Sequence, residues 1–150
     1  MKICLKTYAK QGTMTTVKVM LQTRLPIHLE APVELTCHFQ VEHYNDYYLL
    51  THEVVGVLRI VCQRCLEAFQ YDYSNTTTLA VCRTEAIAEG LMAHFECMVA
   101  LEDEVDLSEI LTDELVLFSP EKHDDLADCN LEMKQWIRDK SEIIETTLGL

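Results

Sequence analysis

Two cysteines set two residues apart, in Val61-Cys62-Gln63-Arg64-Cys65-Leu66-Glu67-Ala68-Phe69, are the residues of this chain best suited to chemistry. The chain has no other Cys-x-x-Cys. Two thiols on one tight turn can hold a metal ion, cycle as a dithiol, or shape a reversal between strands. A structural zinc site needs four ligands. The best second pair is His123 and Cys129, with five residues between them. A Cys62, Cys65, His123 and Cys129 set is chemically sensible for zinc, provided that the loop bearing the second pair folds back onto the first. Arg64, between the thiols, and Arg59 nearby favour the thiolate form, which suits either a metal or a dithiol. Against a thioredoxin-like dithiol stands the setting, because such pairs open a helix in a β-α-β unit. Residue types and spacing alone leave all three readings open.

Other chemistries find little support. No glycine-rich phosphate loop and no Gly-x-Ser-x-Gly is present. His28, His38, His43, His52 and His94 lack the spacing of metal ligands on a helix, and His38 and His52 read as surface or satisfied core residues. Asp113-Glu114 and Asp124-Asp125 fall in an acidic run and read as solvated charge. No catalytic residue is assigned, and a non-enzymatic protein is expected.

The elements that must position the cysteine pair read as strands. Val33, Leu35, Cys37, Phe39 and Val41 alternate with polar residues, the mark of a half-buried strand. Asn45-Asp46 supplies turn chemistry, Tyr47 to Thr51 starts a return, and Val54 to Val61 continues it. Phe69 to Val81 follows the cysteines as a third strand-like segment. Thr84 to His94 suits a short helix or a loop, weakened by Gly90, and Glu96 to Leu101 could add a strand. A helix over about 106–118 is capped by Asp106, with Glu109 in a capping-box position. Its stripe is Leu107, Ile110, Leu111, Leu115 and Phe118, and Pro120 ends it. A last amphipathic helix is expected over about 131–148, with Trp136 on its apolar side.

The expected fold is therefore α+β. It is an antiparallel meander or small open barrel packed by the 106–118 helix, with a C-terminal helix. The expected organisation is a loosely attached leader and edge segment at 1–30, a core domain at 31–130, and the terminal helix at 131–150. A chain of 150 residues suits one domain. No apolar run reaches the ~18 residues of a membrane span. Residues 1–12 lack the apolar core of a secretory leader. Seven irregularly spaced cysteines without an export signal point to reduced thiols and a cytoplasmic protein. Cys37, Cys82 and Cys97 are expected to be small buried hydrophobes.

The net charge of −13 is uneven. Residues 84–132 hold fifteen acidic side chains and one basic, Lys122, whereas residues 1–83 are nearly balanced. Such a segment repels nucleic-acid phosphates and suits solubility or docking onto a basic protein.

The string Val57 to Phe69, an apolar strand followed by Cys-x-Arg-Cys-Leu-x-x-Phe, resembles the hallmark of the YceD family of large ribosomal RNA subunit accumulation proteins. The later order is also similar: an acidic segment, an Asp106-Leu107-led helix, then Pro120 and a loop bearing His123 and Cys129. The resemblance covers roughly residues 30–130. Residues 131–150 lack the Asn-Pro-Phe-like ending common in that family. The resemblance implies a non-enzymatic role in 23S ribosomal RNA accumulation and partners among the ribosome-assembly machinery or pre-ribosomal large-subunit components. Several loop cysteines in some relatives suggest a zinc cluster. Any direct RNA contact is expected near Arg59, Arg64 and Arg83. With Trp136, these are the candidate partner-binding residues.

Overall fold

The computed structural model describes residues 1–129. The expected helix at 131–148 and Trp136 lie outside the described residues. Five strands form the main sheet in the order β2 (Thr15–Leu21), β3 (Val33–His43), β4 (Tyr47–Val61), β5 (Ala68–Cys82) and β6 (Glu96–Val99). The sheet is open, so the class is α+β and no barrel closes. Strands β3 to β5 are the expected antiparallel meander, and β2, from the expected leader and edge segment, extends it antiparallel to β3. The sheet is nonetheless mixed, because β6 runs parallel to β5. The intervening helix α2 (Glu85–Leu91) makes this crossover, and the Thr84 hydroxyl caps it by accepting the Ile87 N–H.

The alternation of β3 is realised in its burial. Val33, Leu35, Cys37, Phe39 and Val41 are all buried, while their neighbours are half-buried or exposed. Tyr48, Leu50, His52, Val54, Leu58 and Ile60 of β4 bury the same face. β4 and β5 pair without a break from Tyr47↔Cys82 to Val61↔Ala68. At 15 residues each, the two strands make a ribbon roughly 50 Å long, at about 3.3 Å of rise per residue. The Cys-x-x-Cys sits at one end of this ribbon.

The expected loose leader is instead built into the fold. β1 (Lys2–Cys4) pairs antiparallel with β7 (Glu104–Asp106), and α1 (Leu5–Gln11) continues directly from it. Ile3 and Leu5 are buried, and the Tyr8 ring meets Phe39 edge-on at 4.9 Å. Lys2, Lys6 and Lys10, all exposed, obscured this stripe in the sequence. Its apolar positions change from strand to helical period after only three residues.

Helix α3 (Leu107–Phe118) forms where expected. Asp106 Oδ1 accepts the N–H groups of Ser108 at 2.9 Å and Glu109 at 3.3 Å. The Glu109 carboxylate pairs with Arg24 at 3.3 Å, so it is turned to an ion pair. The buried stripe is Leu107, Leu111, Thr112, Glu114 and Leu115. Two expectations are thereby corrected. Phe118 is half exposed, because it is the last residue of the helix and rims an open groove beside β6. Glu114 is buried, because its spacing from Leu107 and Leu111 puts it under the helix. There its Oε1 accepts from Asn75 Nδ2 at 2.7 Å, faces Thr77 Oγ1 at 3.2 Å, and meets His52 Nε2 at 3.3 Å.

Candidate metal centre

The knuckle begins where β4 ends. After Val61 the chain reverses through Cys62-Gln63-Arg64-Cys65 and closes with Leu66 N–H donating to the Cys62 carbonyl at 2.7 Å. Leu66 takes a left-handed backbone conformation, with φ of 64°, and its side chain is exposed. The Cys62 N–H then donates to the Glu67 carbonyl at 2.9 Å, which starts the return into β5. The two cysteines point inward, and both are buried.

The second pair reaches the knuckle from the far end of α3. The Ser119 hydroxyl donates to the Leu115 carbonyl, and the buried His28 ring meets that hydroxyl at 2.8 Å. With the hydroxyl proton committed, the ring donates from Nε2–H. Burial holds the His28 pKa below the ordinary histidine value, against a smaller opposing pull from Glu121. His28 thus acts as a neutral clamp that directs the chain leaving the helix. Beyond Pro120, the Gln63 N–H donates to the Glu121 carbonyl at 2.8 Å. The His123 ring stacks on Phe69 with centroids 4.2 Å apart. A 3-10 turn, Leu126–Asp128, capped by Asp125, delivers Cys129 into the same pocket.

The condition set by the sequence, that the loop fold back, is met. One ligand atom from each of Cys62, Cys65, His123 and Cys129 lies within 4.8 Å of the other three. Cys62 Sγ and Cys129 Sγ are 3.9 Å apart. His123 Nδ1 stands 3.6 Å from Cys65 Sγ and 3.5 Å from Cys129 Sγ. Around a tetrahedral zinc with bonds of about 2.3 Å to sulfur and about 2.0 Å to nitrogen, sulfurs stand about 3.8 Å apart and sulfur and nitrogen about 3.5 Å. The donor set and its spacing fit that ion.

The electrostatics point the same way. Burial pushes the Cys62 thiol up, but N–H groups of Cys65, His123 and Arg64 turned toward it outweigh burial and bring it down to about 6. Cys129 is shifted up, by burial first and then by the neighbouring thiols, although Arg64 opposes this. Of Cys62 and Cys129, Cys62 is therefore the first to become a thiolate. Arg64 Nε donates to Cys129 Sγ at 3.2 Å, and its Nη2 donates to the His123 carbonyl at 2.8 Å. Three thiolates and one zinc ion would leave one net negative charge, which the guanidinium would offset.

The geometry places the three expected partner-binding arginines apart from one another. Arg64 is folded onto the knuckle and does not project from it. Arg59 is paired with Glu30, and Arg83 pairs with Asp103 at 3.1 Å. Arg59 sits opposite Gln70 in the register, whereas Arg83 follows Cys82 at the other end of β5. Twelve residues of strand from Gln70 to Cys82 put the two about 40 Å apart. The three arginines do not form one basic surface. The sequence reading missed the support given by Phe69, His28 and the Glu121 carbonyl. Only Phe69 left a signal, as the last residue of the cysteine motif.

No solved structure matches the chain. The family described as Large ribosomal RNA subunit accumulation protein YceD matches residues 50–146. That span begins inside β4 and contains all four candidate ligands. It covers more than half of the 150 residues, so the chain belongs to the YceD family of large ribosomal RNA subunit accumulation proteins.

Proposed function

We propose that the protein is a non-enzymatic ribosome-biogenesis factor that supports accumulation of 23S ribosomal RNA in the cytoplasm. It acts by contacts with proteins of the assembling large subunit, and its knuckle is a structural zinc site. The observation that carries this reading is that the family match includes both halves of the Cys62, Cys65, His123 and Cys129 cluster. All four protein positions are filled by side chains, which is the pattern of a structural site and leaves no open position for a substrate. Bound zinc would supply a cross-link between the β4–β5 turn and the chain after α3. The residues of this chain then do the rest: Arg64 offsets the thiolate charge, Phe69 holds the His123 ring, and His28 aims the approach.

Protein contact is favoured over RNA contact by charge. Arg59 and Arg83 are far apart and each is already paired, and the segment from 84 to 132 is acidic. No helix among the described residues is long and apolar enough to cross a membrane.

Depletion of the protein from growing cells tests this reading. The ratio of 23S to 16S ribosomal RNA is expected to fall, and a plasmid copy is expected to restore it. An unchanged ratio, including under cold stress, would end the assembly role.

A further inference from the structure

At the opposite end of α3 from its cap, a groove opens between the helix and the edge strand β6. Its volume is about 210 Å³. Met98, Leu117 and Phe118 give it apolar walls, and Glu96, Asp113 and Glu114 give it acidic ones. Among the described residues, no lysine or arginine lines it. Leu117 is 70% exposed and Phe118 49%, so its apolar rim faces solvent among the described residues.

Two further observations point to an occupant. Among the described residues β6 pairs with β5 alone, so its outer edge offers unpaired main-chain groups. Glu96 and Met98 pair with Leu79 and Val81, which face the core, and so point to the side on which the groove lies. Beneath them, Glu114 is 5% exposed and His52 is 2% exposed; His52 Nδ1 has no hydrogen-bond partner, and Glu114 Oε2 has none in full bonding geometry, with the buried Tyr73 hydroxyl as its neighbour. Buried polar atoms without partners are rare and call for a ligand or another explanation. A carboxylate with a spare oxygen is completed by a cationic donor.

We propose that this groove docks an extended, lysine- or arginine-rich segment of a partner protein. The segment lies along the β6 edge, and one cationic side chain enters over Glu96, Asp113 and Glu114. Main-chain pairing with β6 would give affinity, and the alternate side chains would give specificity. The space is smaller than the ~300–1,000 Å³ of sites for drug-sized ligands, which favours a side chain over a metabolite. The acidic walls repel RNA phosphates and anionic lipid alike. The proposal deepens the assembly reading and rests on it for the setting in which the partner is met.

A photo-reactive benzoylphenylalanine at position 117 of the full chain, activated in growing cells, tests it. Cross-linked peptides are identified by mass spectrometry, with Val57, exposed on the other face of the sheet, as the control position. Cross-links from 117 to lysine- or arginine-rich protein segments are expected, and they are expected to fall at least tenfold with Glu96→Lys plus Asp113→Lys. Both sites are exposed, and Glu96→Gln plus Asp113→Asn provides a milder pair with the same direction of effect. Cross-links only to RNA, to a second copy, to residues 130–150 of the same chain or to nothing would overturn the proposal. So would cross-links indifferent to both charge pairs. The 23S to 16S ratio on depletion separates the two readings. A lowered ratio without the basic cross-link removes the docking site alone, while an unchanged ratio removes the assembly role and leaves the cross-link to be judged by itself.

Discussion

Arg64 shows how differently one residue reads in sequence and in space. Between two cysteines it looks like an exposed contact, yet its guanidinium spans Cys129 Sγ and the His123 carbonyl. Both partners are more than fifty residues away, and nothing local marks them. Arg64→Gln is therefore expected to lower zinc affinity by about 10–100-fold, the usual cost of losing a group that supports a metal ligand. Competition with a chromophoric chelator measures this, and Arg59→Gln, which alters only a surface pair, should leave the affinity unchanged. Glu114 is the converse case. Its type and its acidic neighbour Asp113 suggested solvated charge, but helical spacing from Leu107 and Leu111 put it in the buried stripe. Residue type and periodicity disagreed, and periodicity decided. The identities of the four candidate ligands were legible in the sequence, because thiol and imidazole spacing is itself a signal. Their supports were not legible, because Phe69, His28 and the Glu121 carbonyl are brought in by tertiary packing.

At the scale of elements, the central meander was readable because β3 alternates strictly and β4 and β5 are long. β1 and α1 were not, because the period changes within a few residues and three lysines interrupt it. Two element-level predictions follow from close contacts. A Cβ on Gly56 of β4 would stand 2.8 Å from the Glu34 carbonyl and 2.8 Å from Leu35 Cδ2. Backbone cannot yield as a flexible side chain does, so Gly56→Ala is expected to cost about 1–3 kcal/mol. Urea denaturation gives the value, and a change under about 0.5 kcal/mol would show that the β3–β4 approach is looser than described. At α3, Asp106→Ala removes the acceptor for two helix N–H groups and is expected to cost about 0.5–2 kcal/mol. Burial raises the Asp106 pKa, but the Glu109 and Ser108 N–H groups and the terminal amine outweigh it and hold the pKa below the ordinary value of 3.8. A depressed carboxyl stabilises the fold above its unfolded pKa, and that contribution is lost as pH falls through the folded one. The wild type should thus lose more stability than Asp106→Ala below about pH 4. Thermal melts of both proteins across that range check the sign.

Over the whole molecule, charge sorts the surfaces. Arg59 and Arg83, both expected near any direct RNA contact, mark opposite ends of the β4–β5 ribbon. Sequence order held no hint of this, because the separation depends on the register of the hairpin. The purified chain is accordingly expected to bind 23S ribosomal RNA fragments no better than the ~10⁻⁴–10⁻⁶ M of non-specific contact at physiological salt. Filter binding measures it, and sub-micromolar affinity would mean that an RNA surface exists elsewhere on the chain.

On the proposed reading, Cys62, Cys65, His123 and Cys129 together hold one zinc ion at the knuckle end of the molecule. Native mass spectrometry of the full chain, purified without chelator, tests this most directly. The expected mass is that of the reduced chain plus about one zinc, lost in Cys129→Ser. A metal-free mass with the fold intact would contradict the zinc site, and a mass two hydrogens below the reduced chain would assign the cysteines to redox chemistry instead.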